Sequence, residues 1–541
     1  DYRTGVAGAR ERLKAFPRTR LQAVEKAVAL IGLGANELEV LCHNLLMRVV
    51  GWASWSSGVD WRAGLAGDDS EARESLLSAL LVWEAVALEC ASDEQIAARK
   101  EAWEEIRQSI HASGCDGTAG LDAANDPEEK LLWIWQRAYE IGYQRKLMHI
   151  MGENATDAKT AEAGPDVQAV FCIDVRSEVM RRHLENDNPR VQTLGFAGFF
   201  GLPISHQSHG PFSEVQRLPG LLAPAYRLID TEGSFEGDNA LNRKLDQREI
   251  TRESVRNAKY SSLSTFTLVE TTGLAWAWKL FKDSLYRQSE KNGSLTGALT
   301  GTLVHHLGSD PLARHEKVKL VAGFLQGMSL TGNFAPLLVF IGHGTQTDNN
   351  PNHAGLACGA CGGQSGGVNA RLAAALFNDP QVREGLAEEG IHIPDETLAV
   401  AAEHCTVTDE VTLFDQESVP DSHKALLSEL QGSFLNAGRE ARKERATPLK
   451  LNGLDGTELL AAMRQRAVDW SEVRPEWGLA NNAAIIFAKR DLTRGKNLSG
   501  RTFLHDYDPE LDTEGQVLEA LMSAPMMVAN WINLQYFASV T

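Results

Sequence analysis

The run Ala169-Val-Phe-Cys-Ile-Asp-Val-Arg-Ser-Glu178 constrains the fold more than any other stretch of this chain. A short apolar segment, Val167 to Ile173, leads directly into Ser177–Glu185, whose apolar spacing suits a helix. A buried strand giving way at once to a helix is the first half of a βα unit. Further apolar runs recur at 191–200, 335–342, 398–402 and 483–488, with helical patterns between them. Such strands have both faces apolar, so both must be covered, and the alternation predicts an α/β fold with a parallel sheet.

Residues 1 to about 150 follow a different period. Asp126-Pro127-Glu128-Glu129 reads as a helix start, with a capping acid, a proline at the first position and acids facing the positive end of the dipole. Leu131, Leu132, Trp135, Ala138, Tyr139 and Gly142 continue it at helical spacing. The expected organisation is a helical region over 1–150, a polar linker over 152–164, and an α/β core from 166–200 and 330–420. Residues 201–329, with Trp276 and Trp278 on a helix, form an insertion, and 421–541 an α/β region continuing the core. There is no internal repeat and no low-complexity tract.

The net charge of −19 argues against a nucleic-acid partner, which needs a basic surface to meet phosphates. No apolar run is expected to approach the ~20 residues that span a bilayer, and no secretory leader is expected. Membrane docking therefore falls to surfaces such as Gly273–Phe281 or the apolar run Asn530–Phe537, for each of which core packing is the plainer reading. The chain begins Asp1-Tyr2 and ends just after that apolar run, so both ends are expected to be cuts. Its cysteines, Cys42, Cys90, Cys115, Cys172, Cys358, Cys361 and Cys405, are odd in number and widely spread, unlike a secreted disulfide framework. The expectation is a cytoplasmic chain with some thiols free for metal or chemistry.

The chemistry gathers at strand ends. Cys172 closes one apolar run and Gly342-His343-Gly344 closes another. The glycine-rich "TQTDNNPNHAGLACGACGG" follows, carrying His353, Cys358 and Cys361. Parallel strands deliver their carboxyl ends to one crevice, so thiol and imidazole groups meet there. Zinc(II) takes this donor set in tetrahedral sites. Cys172, His343 and either Cys358 or Cys361 would supply three ligands, leaving a fourth position for water or Asp174. Arg176 can pair with Asp174 and hold it off the metal. The competing reading of Asp174–Arg176 is a helix cap with a salt bridge, and that of Cys358-Gly-Ala-Cys361 is a redox pair.

Cys172-Ile-Asp174-Val-Arg176 with a later His and Cys resembles the metal motif of β-class carbonic anhydrases, in which an Asp–Arg pair gates the fourth zinc position. The His-to-Cys interval, 343 to 358, is longer here. The blocks "FCIDVRSEVMRRHLE", "GHGTQTDNNPNHAGLACGACGG", "GGVNARLAAALFN" and "DWSEVRPEWGLANNAAIIFAKR" are similar to the DabA family of probable inorganic carbon transporter subunits, divergent relatives of those enzymes. The likeness runs from about Asp166 to the C-terminus. It implies a β-carbonic-anhydrase-like core and a zinc ion on Cys172, Asp174, His343 and Cys358. Asp174 and Arg176 would be the catalytic pair, hydrating carbon dioxide to bicarbonate. It further implies a DabB-like integral membrane partner that translocates cations, and a peripheral position on the cytoplasmic face of the membrane. The alternatives are a structural zinc scaffold within a transport complex, and a thiol oxidoreductase using Cys358 and Cys361.

Overall fold

The structure is a computed structural model and describes residues 8–66, 68–112, 127–152, 164–210, 214–260, 264–286, 301–350, 353–469, 471–472, 477–479 and 481–540. Cys115, the capping Asp126 and most of the expected linker lie outside the described residues. The chain forms two compact units, 1–146 and 147–541.

Helices account for the first: α1 (Ala9–Lys14), α2 (Arg20–Ile31), α3 (Ala35–Arg48), α4 (Val50–Ala66), α5 (Ala72–Glu89) and α6 (Asp93–Ala112), followed by α7 (Pro127–Gly152). Ala27 and Ile31 of α2, Leu41 and Leu45 of α3, Leu81 and Ala85 of α5 and Trp103 of α6 share one apolar core. Each of these large side chains contributes about 1.5–3 kcal/mol by leaving water.

The second unit opens with β1 (Val167–Cys172), α8 (Val175–Asp187) and β2 (Val191–Phe196). Between β2 and the next core strand lie β3 (Ile204–Gln207), β4 (Glu214–Gln216), β5 (Tyr226–Asp230), the helices α9 (Phe235–Tyr260) and α10 (Ser264–Tyr286), and β6 (Gly301–His305). Strands β3 to β6 make a mixed sheet of their own, ordered β4-β3-β5-β6. On α10, Leu274, Trp276, Trp278, Leu280 and Phe281 are exposed, so this segment is not buried in a core. Helix α11 (Arg314–Gly327) then leads to β7 (Leu337–Gly344), α12 (Gly367–Asn378), α13 (Pro380–Glu388), β8 (Leu398–Cys405) and β9 (Glu410–Leu413).

The main sheet runs β2-β1-β7-β8-β9. β1, β2, β7 and β8 are mutually parallel, and β9 joins the edge antiparallel. Every residue of β1 and β7 is buried. Side chains alternate between two cores, as the strand period requires. Val170, Leu338 and Phe340 face the side packed by Val321 and Phe324 of α11 and Leu372 of α12. Ala169, Phe171, Val339 and Ile341 face Met180 and Leu184 of α8 and Phe434 of α14 (Asp421–Ala446).

The order of the strands fixes a site. From β1 the chain moves outward to β2 on one side, and from β7 outward to β8 on the other. The crevice between β1 and β7 is therefore the topological switch point, where open parallel sheets bind their ligands at the strands' carboxyl ends.

Boundaries differ from the sequence expectation in physical ways. Helix α8 starts at Val175 because Asp174 caps it, accepting from the Arg176 amide. Strand β2 stops at Phe196, where the backbone turns beside the site, instead of running to 200. The apolar run near 484–488 is β10 (Ala484–Ala488), paired in parallel with β11 (Thr502–Asp506) in a separate two-stranded sheet. Between α14 and β10 lies α15 (Gly456–Arg466), and α16 (Gln516–Val540) follows β11. Residues 516–538 are long and apolar enough, by length and composition, to cross a membrane, with mean hydropathy 1.2. That corrects the expectation of no such segment: single polar residues such as Asn530, Asn533 and Gln535 interrupt the run without lowering its mean far.

Candidate metal centre

Cys172 ends β1 and His343 lies one residue from the end of β7, so both reach the switch-point rim. Cys358 arrives from the loop that leaves β7, at the start of a 3-10 turn, Gly359–Cys361. One donor atom from each of the three lies within 4.8 Å of the other two, and all three side chains are buried. The two Sγ atoms are 3.8 Å apart. Two sulfurs held about 2.3 Å from one tetrahedral zinc-sized ion stand about 3.8 Å apart, so the pair already has the spacing a shared metal requires. The Nδ1 of His343 is buried without a hydrogen-bond partner among the described residues. This donor set fits a metal ion.

The thiols are electrostatically unequal. The hydrogen bond to Cys358, with burial, drives the Cys172 thiol well above its ordinary value. Burial would raise Cys358 as well, but hydrogen bonds from Cys172 and Cys361 and the neighbouring His343 drive it well below. Burial opposes protonation of His343, yet the Cys358 and Asp174 charges raise it overall. The pocket therefore favours a thiolate at Cys358, which is the form that ligates metal.

Asp174 stands beside this cluster, held by Arg176. Nε of Arg176 donates to Oδ1 at 2.7 Å and Nη2 to Oδ2 at 2.8 Å, while the Arg176 amide also donates to Oδ1 at 2.9 Å. Nη2 also donates to the Leu356 carbonyl at 2.7 Å, tying the dyad to the Cys358 loop. Burial alone would raise the Asp174 carboxyl, but the guanidinium outweighs it and holds the group well below the usual carboxylate range. Both readings of the pair, cap with salt bridge and gate beside a metal, describe the same atoms.

The remaining sequence candidates separate. Cys361 is buried and donates from Sγ to the Gly198 carbonyl at 3.3 Å, outside the three-ligand group. His353 is exposed on the loop surface and is not part of that group.

Two features were not anticipated from sequence. A Cβ on Gly198 would lie 2.5 Å from the Cys172 Sγ and 2.9 Å from the Cys358 Sγ, so only glycine admits both sulfurs. The signal was present as an Ala-Gly-Phe-Phe-Gly turn after β2, but nothing in it points to sulfur. His404, opposite His343 across the β7–β8 register, lies 3.3 Å from Ser177 Oγ through Nδ1 and 3.2 Å from Asp409 Oδ1 through Nε2. Arg445 Nη1 donates to Asp409 Oδ2 at 2.6 Å. The side-chain types match a hydrolase triad, but His404 and Asp409 are fully enclosed and Ser177 is 1% exposed, so the chain braces α8 and offers no nucleophile.

The model of the family described as "Probable inorganic carbon transporter subunit DabA" matches residues 1–541, extending the likeness through the helical region. A protein of that name from Marinobacter nauticus is 52% identical over 512 residues, covering 94% of this chain and 62% of that protein. One from Vibrio cholerae is 40% identical over 540 residues, covering 97% and 61%. One from Hydrogenovibrio crunogenus is 40% identical over 524 residues, covering 95% and 61%. The chain thus spans about three fifths of the length of the curated relatives it matches. No solved structure matches it.

Proposed function

Because the chain belongs to the DabA family of probable inorganic carbon transporter subunits, we propose that it is the zinc-binding subunit of an energy-coupled inorganic carbon uptake complex. In this reading Cys172, His343 and Cys358 hold zinc, and the site hydrates carbon dioxide to bicarbonate as β-class carbonic anhydrases do. The carrying observation is the buried Cys–His–Cys cluster at the switch point, with an Asp–Arg pair against it.

Zinc(II) bound there would supply the Lewis acidity that makes water a nucleophile near neutral pH. The chain's own residues do the rest. Arg176 engages both oxygens of Asp174, so the carboxylate cannot enter the ligand set without giving up the fork. Held so, it is an acceptor that can orient a reacting water. Ala197, Ala360 and Val528 line the sulfur side with apolar surface, which excludes bulk water and suits a small uncharged gas. The Arg176–Asp174 fork would keep that carboxylate off a metal held by Cys172, His343 and Cys358, which would give a membrane partner a point of control.

The partner in this reading is a DabB-like integral membrane subunit that translocates cations, with this chain peripheral on the cytoplasmic face. Expression of both subunits in cells that need added bicarbonate tests the proposal. Zinc in the purified protein, with growth at ambient carbon dioxide that is lost in His343→Ala, is expected. Zinc binding with unimpaired growth in Asp174→Asn would point to a structural metal scaffold, and absence of metal with reactive Cys358 and Cys361 to a thiol oxidoreductase.

A further inference from the structure

The loop that supplies Cys358 is gripped by one face of α16. Val528 belongs to the buried apolar cluster of Cys172, Ala197, Cys358, Ala360 and Cys361, and Ile532 packs against it. Ala529 lies in the neighbouring cluster with Leu356, against which Ile532 and Tyr536 also pack. Positions 528, 529, 532 and 536 fall on one helical stripe, so a single face of α16 reaches both the sulfur end of the loop and the residue whose carbonyl Arg176 grips. The contact at Gly359 is close: a Cβ there would lie 2.6 Å from Ile532 Cγ1 and 2.8 Å from Cδ1. The backbone bonds around Cys358 itself are local, from the Cys361 amide at 3.0 Å and the Gly363 amide at 2.9 Å, while Arg176 on the Leu356 carbonyl, Cys361 on the Gly198 carbonyl and the Gly366 amide on the His343 carbonyl tie the loop on either side of it. On its other face α16 exposes Met527, Trp531 and Leu534.

We propose that Ile532 and Val528 are positioning residues of the metal centre: α16 keys the Cys358 loop in place, and thereby sets how long the site keeps its metal and how exposed the Cys358 thiol becomes. The inference rests on the reading that Cys172, His343 and Cys358 bind a metal. None of the α16 residues donates to that metal. They act through Gly359 and the loop backbone, so a side-chain-sized void at Ile532 loosens the loop while leaving all three ligands present.

The test uses the full chain with zinc. Metal release to a chromophoric chelator is timed, and, separately, alkylation of Cys358 by iodoacetamide in metal-free protein is followed by peptide mass spectrometry. Ile532→Ala should speed both by about tenfold, the lower end of what supporting-shell changes cost at metal sites. Leu534→Ala, on the exposed face, should leave both rates as they were. Gly359→Ala should also speed both, because its methyl collides with Ile532. The double variant should return towards the parent, since the added methyl fills the removed volume. Parent-like rates in Ile532→Ala, or double-variant rates equal to the product of the two singles, would overturn the proposal. Should Ile532→Ala fail to fold, Ile532→Val must show the same direction at smaller size, and parent rates there overturn it equally. If no variant binds zinc at all, the metal reading fails, and the alkylation rates still decide whether α16 positions the loop.

Discussion

Asp174 Oδ2 faces His343 Nε2 at 3.8 Å while both carboxylate oxygens remain engaged by Arg176. The carboxylate therefore stands at the edge of the Cys172–His343–Cys358 cluster, held there by Arg176. Removing one partner of a buried pair costs about 3–5 kcal/mol, because a charge is left enclosed without compensation. In Arg176→Ala that penalty would favour Asp174 turning to a metal, were one held by Cys172, His343 and Cys358. The expected outcome is retained zinc and lost carbon uptake. Arg176→Lys should fail as well, since a point charge cannot engage both oxygens as a fork does. Bicarbonate-independent growth restored to parent level by either variant would remove the gate from the mechanism.

Ligand assignment is tested through metal content alone. Cys172→Ser, His343→Ala and Cys358→Ser should each reduce zinc per chain to background in elemental analysis, because three donors at about 2.0–2.3 Å define the site and two do not. Cys361→Ser should keep the metal, since its sulfur is turned to the Gly198 carbonyl. Loss of zinc in Cys361→Ser with retention in Cys358→Ser would reverse the assignment.

The placement of Cys172 and His343 was legible in the sequence because both terminate elements whose pattern is strong. Cys172 and His343 close apolar runs, and period alone placed them at strand ends. The choice of Cys358 over Cys361 was not legible from spacing, because it depends on how a glycine-rich turn presents its two thiols. Nor was the enclosure of α8. Arg181, Arg182 and Glu185 are each at most 5% exposed. Arg490 pairs with Glu185, Asp506 with Arg181 and Glu444 with Arg182, all from segments more than two hundred residues downstream in sequence. Ionic partners that distant leave no periodic trace in either segment.

Gly198 gives a steric prediction independent of any charge. Its missing Cβ is what lets both sulfurs approach, at 2.5 and 2.9 Å from where that atom would sit. Gly198→Ala must displace at least one sulfur, and zinc affinity should fall by about ten- to a hundredfold, the usual cost of disturbing a ligand's support. Competition with a chelator of known affinity reads this directly. An unchanged affinity would mean the two sulfurs do not share one metal.

The pairing of α8 with α14 carries a pH signature of its own. Burial acts to raise the Glu444 carboxyl, but hydrogen bonds from His183 and Arg182 prevail and bring it down to about 2. A carboxyl with a lower value in the folded than the unfolded chain stabilises the fold above its unfolded value of about 4.5, and that contribution fades as pH falls towards about 2. The side chain is 28% exposed, so water screens part of the effect and its size is modest. Glu444→Gln cannot take up a proton and should flatten this acid limb. Urea unfolding of metal-free protein between about pH 5 and about pH 2 measures it, metal-free because acid also strips thiolate-bound metal. The parent's stability should decline more steeply than the variant's by up to one bound proton across that window. Identical slopes would show that Glu444 is as acidic in the unfolded chain as in the fold, and that its pairing with Arg182 and His183 adds nothing to acid stability.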